Sequence, residues 1–352
     1  MAITSNSFRA EIGRPAGIAT LVFLLLFPWI SSDFFTFQIG AYSLLLGMVA
    51  LSLMMLAGYG GAVSLAQLTV AGFAGYMIAI FGVNSVSVHG FGVPWWVLIP
   101  AVIVAAALLS AIIGAIAIRT EGIYTIMITL AIAVAFFYFT RQNYAVFNGF
   151  NGFAGVSPPQ VFGVSWRDPK PFYYLSLFCA LGFYLAVLYG SRSSYGLALQ
   201  ATRDNARRMN ALGYNVTAIR LFAYLLAGVI AGTAGILLVW FNGRISPGSV
   251  GVDVVIDILV IAVVGGLRHP VGPFLGAIAF VLLENFAIDL IDRERFNTVI
   301  GLAFLLVVLF SPDGLLGIWQ RLKLRLLPKR RSANQSQIKP ANPATTNHQS
   351  GD

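Results

Sequence analysis

The sequence predicts an all-α polytopic membrane protein of about ten transmembrane helices, with the N and C termini both cytoplasmic. Three observations carry that prediction. Of the 352 residues, 58% are hydrophobic and 10% are charged, whereas soluble domains are roughly 45–50% apolar and about 25% charged. Apolar runs recur along the whole chain, and mean hydropathy is +0.82. A helix of about 20 such residues crosses a hydrocarbon core about 30 Å thick. Finally, Lys and Arg are distributed asymmetrically between alternate loops, as the positive-inside rule requires.

Ten spans are expected, at 16–34, 37–57, 62–82, 95–118, 123–141, 172–190, 217–241, 252–266, 273–292 and 297–311. The first follows Arg9 and Arg14 and contains LVFLLLFPWI. No small-residue cleavage site comes after it, so it reads as a helix rather than a signal peptide. The span at 252–266 is short and could be re-entrant. With the N terminus inside, the cytoplasmic side holds Arg9, Arg14, Arg119, Arg192, Arg203, Arg207, Arg208, Arg220, Arg268 and the cluster from Arg321 to Lys339. The outer side holds Arg141, Arg167, Lys170, Arg244, Arg293 and Arg295. The expected organisation is a cytoplasmic segment at 1–15, a transmembrane domain at 16–327 and a disordered cytoplasmic tail at 328–352. A charged connecting loop at 191–216 lies inside that domain. The outer loop at 143–171 is rich in Gly, Pro, Asn and aromatics and is expected to be ordered on the membrane face. The tail is polar, and its basic start is expected to lie against anionic lipid.

Several chemistries are excluded. The formal charge of +9 resides in short loops and at the ends, which argues for membrane topology and against nucleic-acid binding. None of the four lysines, Lys170, Lys323, Lys329 and Lys339, follows a glycine. The chain therefore has no P-loop, whose Gly-Lys pair reaches the nucleotide phosphates. His89, His269 and His348 fall in separate segments and support neither a metal site nor a nucleophile–base pair. The lone cysteine, Cys179, sits in an apolar run and reads as a packed side chain. No catalytic residue, no metal and no cofactor are expected on this chain.

The most informative stretch is LALQATRDNARRMNALGYN, residues 197–215. On a helical wheel, Gln200, Arg203, Asp204, Arg207, Arg208 and Asn210 share one side. Ala198, Leu199, Ala201, Thr202, Ala206, Met209 and Leu212 share the other, with Asn205 the exception. Asp204 and Arg208 have the i,i+4 spacing of a favourable pair. Ser193 and Ser194 offer N-caps, and Gly213, followed by Tyr214, offers a left-handed stop. A single amphipathic helix of about four turns is expected. It could lie on the inner leaflet, but its apolar face is largely alanine, which suits a protein groove better than lipid.

These residues are similar to a known family. RDNARRMNALGYNVTAIRLFAYLLAGVIAGTAGIL resembles the cytoplasmic loop and following helix of permease subunits in bacterial ABC importers, above all the LivM-type branched-chain amino-acid permeases. The family runs from an acidic-Asn-Ala-Ala-like stretch through a Gly and an Asn to Ala-Gly-x-x-Gly. Here these are Asp204-Asn205-Ala206, Gly213, Asn215 and Ala231-Gly232-Thr233-Ala234-Gly235. Arg207-Arg208 departs from the alanine and acid often found there. Three further segments extend the likeness: GYGGAVSLAQLTVAGFAGYMIAI, with Ala66 in place of a Gly; DVVIDILVIAVVGGLRHPVGPFLGAIAFVLLE, ending in Glu284; and LLVVLFSPDGLLGIWQRL.

The resemblance implies a multi-pass inner-membrane permease of an ATP-driven importer. Its expected partners are a second homologous permease subunit, two cytoplasmic ATPase subunits that carry ATP-Mg, a periplasmic substrate-binding protein and membrane lipid. The 198–212 helix becomes the coupling helix, with Ala201, Asp204, Asn205, Ala206, Arg207, Met209, Leu212 and Gly213 as its contact set. Branched-chain amino acids are the implied substrates. Urea or short amides, and a self-sufficient secondary transporter, are the alternatives.

Polar groups inside spans are the pathway candidates, since each is costly in lipid. Ser64, Gln67 and Thr69 lie near the glycine-rich break at 58–76; they could line a pathway or bond to freed backbone carbonyls. Asp253 and Asp257 are four apart and could form a wet interfacial pair near Arg244, with Asp257 also a pathway candidate. Glu284 sits deeper and could pair with another helix or face the pathway. A second glycine-punctuated segment occupies 264–277. Gly228 and Gly232 have the spacing of a helix-packing seam.

Overall fold

The computed structural model describes residues 15–82, 91–159, 165–290, 301–302, 314–315 and 317. The terminal segments 1–14 and 328–352 lie outside the described residues. So do most of the expected span at 297–311, the cluster from Arg321 to Lys339, and Arg293, Arg295, His89 and His348.

The chain is built from helices. α1 covers Pro15–Ile30. α2, Tyr42–Met54, is flanked by wide π turns at Phe35–Ala41 and Met55–Tyr59. α3 covers Gln67–Phe81, α4 Trp95–Ala117, α5 Ile123–Gln142 and the short α6 Tyr144–Phe147. A two-residue strand, β1 (Phe153–Ala154), precedes α7, Pro169–Arg192. Two short helices follow, α8 (Ser194–Asp204) and α9 (Ala206–Ala211), and then the long α10, Val216–Asn242. β2 (Arg244–Ile245), α11 (Val252–Gly265) and α12 (Val271–Leu290) follow.

Among the described residues, five helical stretches are long and apolar enough to cross a membrane: Phe35–Tyr59, Trp95–Ala117, Ile123–Gln142, Pro169–Arg192 and Val216–Asn242. The expected span at 62–82 is a helix only from Gln67, because a non-helical turn occupies 60–66. At 15 residues α3 rises about 22 Å, short of a full crossing. Among the described residues, a two-stranded antiparallel ladder departs from the all-α architecture, pairing Phe153 with Ile245 and Ala154 with Arg244. It fastens the segment between α6 and α7 to the end of α10.

Side-chain size explains the packing. α2 is the centre of the bundle, with every residue from Ser43 to Met54 buried. α12 approaches it closely at Gly47, where an added Cβ would lie 2.5 Å from the Phe274 ring. α10 meets α3 and α4 along a glycine seam. A Cβ at Gly235 would lie 2.0 Å from the Ala71 carbonyl oxygen, and one at Gly228 would lie 2.5 Å from Ser110 Cβ. Across that seam Ser110 Oγ donates to the Tyr224 carbonyl at 2.6 Å. The small-xxx-small pattern at Gly228 and Gly232 is therefore a packing interface.

Pro28, inside α1, has no N–H for the carbonyl of Leu24 four residues earlier. The Tyr173 hydroxyl of α7 donates to that carbonyl at 2.9 Å, and the Tyr174 hydroxyl donates to the Leu25 carbonyl at 3.0 Å. Two tyrosines thus join α7 to α1 at the point where proline interrupts the helix.

Candidate functional site

The connector between α7 and α10 is the first candidate site. Ser193 leaves the helical conformation, and its Oγ accepts from the Gly196 N–H at 3.2 Å, which starts α8 as the sequence predicts. At the far end Gly213 has φ +85. The Tyr214 N–H returns to the Met209 carbonyl at 3.1 Å, and the Gly213 N–H to the Asn210 carbonyl at 3.0 Å. Those two bonds are the Schellman pattern that ends helices on glycine.

The expected single helix over 198–212 is corrected by the structure. Asn205 is extended (φ −158, ψ 93), and the connector is two helices joined there. The physical reason is capping: Asn205 Oδ1 accepts from the Arg208 N–H at 2.9 Å and starts α9 anew. The expected pairing of Asp204 with Arg208 is lost as well. Asp204 Oδ1 instead accepts from Nε and Nη2 of its neighbour Arg203, at 3.0 and 2.9 Å. Asn205 was the one residue that misfit the helical wheel, and that misfit was the available signal.

The break divides the apolar residues between two directions. Leu199, Thr202 and Met209 are buried within the chain itself, while Leu197, Leu212 and Tyr214 are exposed. Ala201 and Ala206 are half-buried; Asp204, Asn205, Arg207 and Gly213 are exposed. α8 is tied to the bundle at three points. Gln200 Nε2 donates to the Ser191 carbonyl at 2.8 Å. The Tyr195 hydroxyl donates to the Ile219 carbonyl of α10 at 2.9 Å, and burial pushes its pKa well up, so it stays a neutral donor. Arg203 Nη1 donates to the Gly58 carbonyl, next to the turn that precedes α3.

The second candidate is the set of polar groups within the bundle. Ser64, Gln67 and Thr69 are buried at the start of α3. Ser64 Oγ, both amide atoms of Gln67 and Thr69 Oγ1 have no hydrogen-bond partner, so they do not satisfy carbonyls freed at the break. The Tyr224 hydroxyl faces the Ser64 hydroxyl. Close by, the Leu65 N–H donates to Thr129 Oγ1 at 3.1 Å. Asp257 on α11 and Glu284 on α12 come near one another and near the Tyr42 hydroxyl. Asp253 is exposed in the first turn of α11 and forms no ion pair with Arg244 among the described residues; Arg244 is held in the β ladder instead. Sequence reasoning missed Tyr42, Tyr224 and Thr129, because a Tyr or Thr in an apolar run does not disclose which helix it faces.

A helical bundle with interrupted spans, unpartnered polar groups inside it and a charged connector folded against one end is the build of a membrane transport protein. The family described as branched-chain amino acid transport system / permease component matches residues 35–309, and the chain belongs to that family. It is 28% identical over 316 residues to the probable branched-chain amino acid transport permease protein LivH of Methanocaldococcus jannaschii, covering 86% of this chain and 89% of that protein. It is 24% identical over 332 residues to the high-affinity branched-chain amino acid transport system permease protein LivM of Escherichia coli, covering 88% and 76%. A ribose import permease, RbsC of Haemophilus influenzae, is 23% identical over 69% of this chain and 76% of its own. No solved structure matches. Membership makes the chain a transport permease subunit rather than an enzyme, resident in the inner membrane as a multi-pass protein.

Proposed function

We propose that this chain is the permease subunit of an ATP-driven importer, forming the translocation pathway for branched-chain or chemically related amino acids that a periplasmic binding protein delivers. It pairs with a second, homologous permease and is powered by two cytoplasmic ATPase subunits that bind ATP-Mg. Ten spans with cytoplasmic termini, bounded by a segment at 1–15 and a tail at 328–352, complete the proposed topology. The loop asymmetry of Lys and Arg supports that orientation.

The observation that carries this reading is the connector. α8 and α9 sit between two long spans, with Arg207 and Arg208 outward and Leu212 66% and Tyr214 51% exposed. A basic surface carrying exposed apolar side chains, yet hydrogen-bonded back to the bundle, suits a groove on a partner protein. The contact set is Ala201, Asp204, Asn205, Ala206, Arg207, Met209, Leu212 and Gly213, with Met209 acting from beneath as a packing residue. Motion of the docked connector during ATP-driven closure of the ATPase pair would switch the pathway between its two faces. Ser64, Gln67, Thr69, Asp257 and Glu284 are proposed to line that pathway, a role supported by the unpartnered polar atoms at Ser64, Gln67, Thr69 and Glu284.

The test is co-purification. Leu212→Asp or Ala206→Arg should leave the permease inserted and monodisperse yet reduce recovery of the ATPase subunits at least tenfold, a loss of about 1.4 kcal/mol or more in binding. Normal recovery and normal transport in both variants would remove the docking assignment. Met209 is unsuitable for this test, because it is 7% exposed and an acid there would disturb the connector's own fold.

A further inference from the structure

The connector does more than rest on the bundle. Arg203 runs along the turn that interrupts the span before α3. Its Nη1 bonds to the Gly58 carbonyl, while Nε and Nη2 are held by Asp204. The turn is shaped to receive it. Gly61 has φ +71, and a Cβ there would lie 2.4 Å from Arg203 Cγ, so position 61 favours glycine for its backbone and for the arginine stem passing over it. Leu199, one helical turn before Arg203, reaches Gly60, where an added Cβ would lie 3.7 Å from its Cδ1. Gly58 in turn packs on the second glycine-punctuated segment, since a Cβ there would lie 2.1 Å from the Leu267 carbonyl oxygen. One arginine therefore links the connector, the break before α3 and the loop between α11 and α12.

The surrounding packing leaves the connector room to shift. An apolar cavity of about 170 Å³ lies beneath α8, lined by Met55, Tyr59, Phe183, Val187, Tyr195 and Leu199 among others. Tyr195 and Gln200 tie α8 to α10 and α7 beside that cavity, whereas Arg203 carries the directed hydrogen bond that reaches the turn before α3.

We infer that Arg203 is the positioning residue that conveys movement of the connector to the interrupted span carrying Ser64, Gln67 and Thr69. The ion pair with Asp204 matters as an aiming device rather than as a source of stability, because both side chains are well exposed and such pairs contribute little. The inference rests on the proposed docking of the connector on the ATPase subunits.

Hydrogen–deuterium exchange on the complete permease–ATPase complex, with and without ATP-Mg and vanadate, tests it without knowledge of the substrate. In the wild type, the nucleotide state should change exchange in both 194–204 and 58–66. Arg203→Gln should keep the change at 194–204 and lose it at 58–66, and Arg203→Lys, which retains a charged donor for the Gly58 carbonyl, should restore it in part. A merely structural role would alter exchange equally in both nucleotide states. If Arg203→Gln and Arg203→Ala both preserve the response at 58–66, the inference is overturned while the docking reading stands. If neither segment of the wild type responds, the docking reading falls and takes the inference with it.

Discussion

The stretch Phe35–Tyr59, with α2 at its centre, and α5 are equally apolar in sequence but opposite in environment. Every residue of α2 from Ser43 to Met54 is buried. α5 buries only Thr125, Thr129, Ala133 and Thr140, and turns Ile123, Tyr124, Met127, Tyr138 and Phe139 outward. In water the large apolar side chains would be inside. In lipid they are solvated where they point outward, so α5 can give its buried face to small and hydroxyl-bearing side chains that permit close approach or satisfy backbone groups. On α5, hydrophobicity identifies the span, while threonine and alanine identify its buried face; α2, central in the bundle, buries large side chains such as Leu45, Met48 and Leu51 as well.

The contrast can be broken or sharpened by substitution. The largest effect is expected at Gly235→Leu on the α10 seam. A side chain there meets the α3 backbone at Ala71, so the cost should exceed the roughly 1–3 kcal/mol typical of overpacking. Fluorescence-detected size exclusion should then show loss of the monodisperse peak. A smaller effect is expected on the buried face of α5. Thr129→Val keeps shape but strips the Leu65 N–H of its acceptor, costing about 1–3 kcal/mol as a lowered thermal midpoint that Thr129→Ser restores. Met127→Ala, on the outward face of the same helix, should change stability of the isolated subunit by about 0.5 kcal/mol or less. Equal losses at Thr129 and Met127 would mean that the small-inside rule does not govern α5.

Much of the fold was legible because it depends on local chemistry. Gly228 and Gly232 read as a seam, Ser193 as a cap and Gly213 as a stop, and each is found in that role. Legibility failed where the outcome depends on distant partners. Nothing near Pro28 indicates that Tyr173 will bond to the freed Leu24 carbonyl, and nothing near Glu284 indicates that Asp257 and Tyr42 will stand close by. Asn205 is intermediate. Its residue type favours N-caps and its position misfit the wheel, but the surrounding periodicity is strong enough to carry a helix straight through it. For the candidate site, Ser64, Gln67 and Thr69 were singled out by the cost of polar groups in lipid, whereas their neighbours Tyr224 and Thr129 required the packing of α10 and α5.

On the proposed function, ATP hydrolysed by partner subunits drives transport through this permease by way of α8 and α9. The most direct measurement is uptake of radiolabelled leucine into proteoliposomes holding the permease pair, with the binding protein outside and ATP-Mg inside, with and without the ATPase subunits. Uptake should require the ATPase subunits and fall to the level of empty liposomes without them. Uptake that persists undiminished in their absence would contradict the account.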